Sequence, residues 1–189
     1  MLMPATKVPK TAKRVFKGVI FDVYHWQQKM FRGPSKTFEI IKRQDTVVVL
    51  ATVKDKIVVI KEQQPSMDWY YSTPAGRMDV PGETPKQTAA RELLEEAGLK
   101  TKKMTLWKVE QINGKVIHNV YHFVARDCYK VADQTLDAGE KIEVKLLTYD
   151  QFLALAKGDR YYRSDFMIDM LQALVDKQAY RKLKKVIFG

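Results

Sequence analysis

Residues 46–53 and 57–61 are two runs built almost wholly of apolar residues, mostly valine and isoleucine, separated only by Lys54-Asp55-Lys56. A strand with one wet face alternates apolar and polar residues. A run without alternation reads as a strand covered on both faces. This pair therefore requires a sheet with a layer on each side. A chain of 189 residues can supply such layers within one domain, without disulfides or metals as staples. The lone Cys128 excludes an intrachain disulfide and disfavours a cysteine-based zinc site.

The flanking segments fill in the layers. Residues 15–26 and 36–43 are β-prone, with the turn chemistry of Phe31-Arg32-Gly33-Pro34-Ser35 between them. A polar and aromatic stretch, 62–73, leads into the glycine-rich segment 74–82. Thr84-Pro85-Lys86-Gln87 fits a capping box with proline at the first helical position. Ala89, Ala90, Leu93, Leu94 and Ala97 supply an apolar stripe, and Gly98 is placed to end the helix. Residues 104–111 and 115–125 flank Asn113-Gly114, a hairpin signal. Residues 142–147 read as a strand. Thr148-Tyr149-Asp150-Gln151 opens a second helix that stops near Gly158, and Ser164 can cap a last helix running to about Lys177. Strands with a central helix and a helical C-terminus predict an α/β (α+β) sandwich with a mixed sheet and an N-terminal antiparallel β segment.

The net charge of +11 is concentrated at the ends. Residues 1–18 and 177–189 carry five lysines and arginines each and no acid. The body is near neutral, so a nucleic-acid partner is less favoured than loose polyanion attraction. With the element pattern, this divides the chain into a basic arm (1–14), a β segment (15–45), a main domain (46–177) and a basic tail (178–189). No apolar run approaches the roughly 20 residues of a membrane span. No long apolar stretch follows Met1-Leu2-Met3-Pro4, so a cytoplasmic-type compartment is expected.

The chemistry is concentrated in residues 76–99. Glu92, Glu95 and Glu96 stand at i, i+3 and i+4, which puts three carboxylates on one helix face. Like charges there repel, and a hard divalent cation between them would remove that cost. The same spacing also suits a plain solvated face. Glu83 and Arg91 lie across the helix start and can pair. His118 and His122 share a strand face and read as polar strand residues rather than ligands.

The whole string resembles the Nudix box. Glu83 is followed by seven residues and then Arg91-Glu92-Leu93-Leu94-Glu95-Glu96-Ala97-Gly98-Leu99, without a mismatch. Six residues rather than five separate Gly76 from Glu83. More loosely, residues 15–177 resemble the ADP-ribose and nucleoside-diphosphate-sugar pyrophosphatase branch of the Nudix hydrolases. The resemblance implies a Nudix α/β/α sandwich and hydrolysis of a nucleoside diphosphate linked to a group X. It implies Mg²⁺, or alternatively Mn²⁺, held by Glu92, Glu95 and Glu96 with the Ala75 carbonyl as a further ligand. It makes Glu95 and Glu96 part of the catalytic machinery, and Gly76, Glu83, Arg91 and Gly98 structural. A glutamate in a late loop often acts as base in this branch, and Glu140 is the candidate; a plain loop carboxylate is the alternative. The partners it implies are a nucleoside-diphosphate small molecule and a second subunit in a homodimer.

Several positions depart from the branch. Gln63-Gln64-Pro65 lacks its usual arginine, and Ser72 replaces a glutamate. Lys115 stands where ADP-ribose hydrolases often carry proline. Arg32 or Lys42, reaching across a dimer, is the candidate replacement for the arginine. Trp69 and Tyr70 are candidate stacking residues for a nucleobase, with a strand edge or dimer contact as the alternative. Hydrolysis of RNA 5′ ends and a non-catalytic nucleotide-binding role are the rival functions.

Overall fold

The structure is a computed structural model that describes residues 7–112, 114–162 and 164–189, apart from the side chains of Ser164 and Asp165. The readings at Met1–Pro4, at Asn113 and of Ser164 as a cap lie outside the described residues. The described strands are β1 (Lys13–Lys17), β2 (Phe21–Gln28), β3 (Lys36–Arg43), β4 (Thr46–Val53), β5 (Lys56–Gln64), β6 (Met67–Ser72), β7 (Ala75–Arg77), β8 (Leu99–Lys100), β9 (Lys103–Ile112), β10 (Val116–Arg126), β11 (Tyr129–Lys130) and β12 (Lys141–Leu147). The α-helices are α1 (Pro85–Ala97), α2 (Tyr149–Ala154), α3 (Ser164–Val175) and α4 (Lys177–Phe188), with a 3₁₀ turn at Leu155–Lys157.

The main sheet runs β1-β2-β3-β10-β4-β5-β12, with β9 on β10, β7 on β4 and β6 on β5. β10 runs parallel to β3 and β4, and the other pairings in this sheet are antiparallel. The sheet is therefore mixed. Because β3 pairs with β10, the N-terminal β segment continues the central sheet instead of standing apart.

The valine runs are buried on both faces, as their lack of alternation requires. Val47, Val49 and Ala51 pack with Ala89, Leu93 and Ala97 of α1. Val48 and Leu50 face the other way, onto Phe152, Phe166, Met170 and Ile187 of α2, α3 and α4. Each such valine contributes about 1.5–3 kcal/mol of burial. The result is an α/β/α sandwich.

Two helix starts follow the capping boxes. The Thr84 and Thr148 side chains accept from the Gln87 and Gln151 N–H groups, and each glutamine reaches back to its cap. Gly98 adopts a left-handed φ of 66° and closes α1.

Three expectations differ from the structure. Residues 15–26 are a hairpin, not one run. Gly18 donates to the Phe21 carbonyl at 2.9 Å, and a Cβ at Gly18 would lie 2.6 Å from that oxygen. The turn hides among β-forming residues, and the strand already begins at Lys13, across the expected arm boundary. The aromatic stretch before the glycine-rich segment contains β6, whose Tyr70 and Ser72 face inward. The expected basic tail is helix α4. Its Tyr180, Leu183 and Ile187, spaced i, i+3 and i+7, make a packing stripe under the lysines, with Leu183 and Ile187 buried. Arg126 holds the far end by donating to the Val186 and Ile187 carbonyls at 2.6 and 3.1 Å.

Candidate active site

Helix α1 is anchored on β4 and β10, and its charged face looks toward the loop before it. Arg91 is the centre of that face. Its Nε donates to both Glu83 oxygens at 3.2 and 3.3 Å, and its Nη1 donates to Glu92 at 2.8 Å and Glu95 at 3.0 Å. Nη2 reaches the Arg77 carbonyl at 3.3 Å. Glu83 also accepts from the Thr88 hydroxyl at 2.9 Å. Arg91 thus ties the loop to the helix, with Glu83 as its anchor. Partial burial pulls the guanidinium pKa down, and the opposing pull of Glu92, Glu95 and Glu83 carries it above its ordinary value.

Glu92 is buried, as is Glu96. Burial pushes the Glu92 pKa up to about 7; Arg91 opposes the rise, while Glu95 and Asp79 add to it. Gly76 lies directly against it, and a Cβ there would overlap the Glu92 carboxylate. Glu96 is turned toward β7, where its Oε2 accepts from the Ala75 N–H at 2.9 Å. Gly76 and Ala75 are placed by β7 pairing with Val47 and Val48 of β4.

These groups line one pocket of about 760 Å³, within the usual range for a small-molecule site. Glu92, Glu95, Glu96 and Arg91 of α1, Asp79 of the loop before it, and Ala75 and Gly76 of β7 line it. Glu62 and Gln64 of β5, Tyr70 of β6, Glu140 and Tyr162 also line it. Arg43 and Ile20, from the N-terminal β segment, join them.

The structure brings Glu92, Glu95, Glu96, Ala75, Gly76, Arg91, Tyr70 and Glu140 to this pocket. Glu83 stands behind it, holding Arg91, and Gly98 closes the far end of α1. Trp69 and Arg32 are not among its lining residues. Trp69 points along the outside of β6, with Lys61 Nζ and Arg160 Cζ each 4.8 Å from its ring. Arg32 is exposed in the β2–β3 turn. Glu140 sits in the loop before β12, where burial raises its pKa; the Asp137 N–H opposes this, and Asp137, Glu62 and Glu95 add to the rise.

Glu62 was not singled out from the sequence. It is buried on β5, accepts from Gln64 Nε2 at 2.7 Å and lies 3.4 Å from the Ser72 hydroxyl. Its place at the pocket follows from the register of β5 with β6 and with the distant β12, where it pairs with Ile142, and that register has no local signature. Arg43 and Tyr162 escape sequence reading for the same reason.

The donor set fits a hard divalent cation. Every candidate ligand is an oxygen, three carboxylates share one helix face, and Gly76 leaves the Glu92 carboxylate open to the loop backbone. Among the described residues, no three His, Cys, Asp or Glu side chains stand gathered as a ready cage. Arg91 instead bridges Glu92 and Glu95, and Glu96 is engaged by Ala75.

The carboxylate helix, its arginine hub and the glycine loop define the class of protein. The family model for the NUDIX domain matches residues 42–166. The chain belongs to that family, and it is a Nudix hydrolase. It is similar to the ADP-ribose pyrophosphatase of Bacillus subtilis (strain 168), with 29% identity over 175 residues, covering 89% of this chain and 94% of the relative. It is also similar to the methanol dehydrogenase activator of Bacillus methanolicus, with 28% identity over 166 residues, covering 84% and 89%. Among solved structures, an ADP compounds hydrolase superposes with a TM-score of 0.74 at 16% identity, covering 97% of both chains. A NUDIX hydrolase from Nitrosomonas europaea superposes at 0.57 with 20% identity, covering 75% of this chain and 90% of its own. These likenesses establish the Nudix sandwich for this chain. No described helix is long and apolar enough to cross a membrane.

Proposed function

We propose that the protein is a divalent-metal-dependent pyrophosphatase that splits ADP-ribose or a related nucleoside diphosphate-X into a nucleotide and a phosphorylated X. The observation that carries this reading is the α1 carboxylate face opening onto a pocket large enough for such a substrate. The similarity to an ADP-ribose pyrophosphatase along most of both chains supports the substrate class.

Glu92, Glu95 and Glu96 would hold the metal, with the Ala75 carbonyl as a further donor; Mg²⁺ is the first choice and Mn²⁺ the alternative. When bound, the ion would neutralise the diphosphate and lower the pKa of water for attack at phosphorus. Arg91 keeps Glu92 and Glu95 aligned and tied to the loop. Glu140, raised by burial, is suited to take a proton from the attacking water across the pocket. Arg43, a pocket cation supplied by the N-terminal β segment, is suited to a substrate phosphate. It serves the role for which Arg32 was expected, without needing a second subunit.

Ile20 and Arg43 bring the N-terminal β segment into the pocket. That segment also exposes Val15, Phe16, Val19 and Phe21. We take it as the homodimer element, because apolar surface on paired strands favours coverage by a second copy.

A panel of ADP-ribose, NDP-sugars, dinucleotides, nucleoside triphosphates and capped or triphosphorylated RNA, assayed with Mg²⁺, Mn²⁺ or chelator, tests the reading. Release of AMP from ADP-ribose only with metal supports it. Preference for RNA 5′ ends, falling steeply with salt, replaces it. The similarity to a methanol dehydrogenase activator favours a second reading, in which the output is a dehydrogenase partner's activity. Adding the protein to purified methanol dehydrogenase tests that reading: unchanged dehydrogenase turnover discards it.

A further inference from the structure

We propose that Tyr162 is a substrate-binding residue whose ring takes the planar base of the nucleotide, and that Asp68, Trp69 and Arg160 are the positioning residues that hold it there. This rests on the reading of the pocket as a nucleotide hydrolase site.

Tyr162 lies far from the carboxylate helix in sequence, in the loop between the 3₁₀ turn and α3. That loop is laced onto β6. The Tyr71 N–H donates to the Arg160 carbonyl at 2.6 Å, and the Tyr162 N–H donates to the Tyr71 carbonyl at 2.9 Å. The Arg160 guanidinium donates to Asp68 at 2.6 Å and to the Trp69 carbonyl at 3.2 Å, and its Cζ stands 4.8 Å from the Trp69 ring centre. Five adjacent polar and ring contacts therefore fix the register of a short loop against the strand.

The clamp sets Tyr162 beside Tyr70. Their ring centroids are 4.8 Å apart with planes inclined by 36°. Tyr70 is 8% exposed, so it acts as backing; Tyr162 is 55% exposed and lines the pocket. The rest of that wall is dominated by carboxylates, glutamine and arginine. The two phenol rings are its flat aromatic surface. A nucleotide has one polyanionic end and one planar end. The diphosphate belongs at the α1 carboxylates, where a cation can mediate, and the base belongs on the rings. Stacking on an aromatic side chain is tolerant of base identity, since every base has a π-face. Trp69 thus acts through the loop and not by contact with substrate.

The test compares AMP, which carries the base, with inorganic pyrophosphate, which does not. Inhibition of metal-dependent ADP-ribose hydrolysis by each is measured for wild type, Tyr162→Ala, Tyr162→Phe and Arg160→Ala. Direct binding of AMP is measured by calorimetry, and folding by circular dichroism. Tyr162→Ala is expected to weaken AMP about tenfold and raise KM with little change in kcat, leaving pyrophosphate inhibition as it was. Tyr162→Phe is expected to recover the affinity, and Arg160→Ala to show part of the loss. Equal weakening of AMP and pyrophosphate by Tyr162→Ala, or unchanged AMP affinity, overturns the proposal. Wild type that binds AMP in a Tyr162-dependent way without hydrolysing ADP-ribose overturns the hydrolase reading alone. Wild type that neither binds AMP nor hydrolyses overturns both.

Discussion

Gly76 packs so closely against Glu92 that a single added methyl group would occupy the space of the Glu92 carboxylate. The requirement for glycine here is steric: the site needs the space that a side chain would fill. The glycine loop and the carboxylate helix are therefore two halves of one fitted surface.

Gly76→Ala should disarm the site while leaving the fold. The methyl group must displace the Glu92 side chain, at a cost of about 1–3 kcal/mol for overpacking. Turnover should fall at least tenfold while the protein still melts cooperatively. Steady-state rates and a melting curve, measured together, check this. Unchanged kcat would show that the Glu92 position is not needed.

Arg91 should matter more to stability than its partial exposure indicates. Its guanidinium serves Glu83, Glu92 and Glu95 together, so Arg91→Ala leaves three carboxylates facing one another. A loss of about 2–3 kcal/mol is expected, read from the denaturant midpoint. Arg91→Lys should recover little of it, because an ammonium cannot reproduce the forked contacts.

The central layers could be read from local pattern. The Thr84 and Thr148 capping boxes, the Gly98 stop and the unalternating β4 and β5 runs all carry their own geometry. The pocket's second wall could not be read that way. Glu62 becomes a pocket residue through strand register, Arg43 through the joining of β3 to β10, and Tyr162 through a loop pinned on β6. Helix α4 was hidden for another reason: five basic residues between 177 and 189 mask an apolar stripe at helical spacing.

Glu140 gives a pH signature with a definite sign. Its pKa is raised in the folded state, mainly by burial. Acting as base, it must be ionised, so kcat/KM should fall as pH drops through a value above the ordinary 4.5 of a glutamate. A raised carboxylate pKa also means that stability from this group is full at low pH and is lost as pH rises through the folded value. Glu140→Gln should therefore lose turnover yet melt no lower than wild type at pH 8. A lower melting temperature at that pH would show a structural role instead.

Leu183 tests whether α4 is part of the fold. It is buried against the α2 and α3 layer, so Leu183→Ala should cost about 2–5 kcal/mol. Exposed Lys182→Ala, one residue away, should change stability by less than about 0.5 kcal/mol. Similar small losses at both positions would mean that the helix does not contribute to the core.

The most direct test is metal-dependent hydrolysis of ADP-ribose by wild type and by Glu92→Gln, with folding of both confirmed by circular dichroism. Wild type should yield AMP and ribose phosphate with Mg²⁺ or Mn²⁺ and none with chelator, and Glu92→Gln should be at least a hundredfold slower. Undiminished hydrolysis by Glu92→Gln, or hydrolysis indifferent to chelator, would rule out a metal held by the α1 carboxylates.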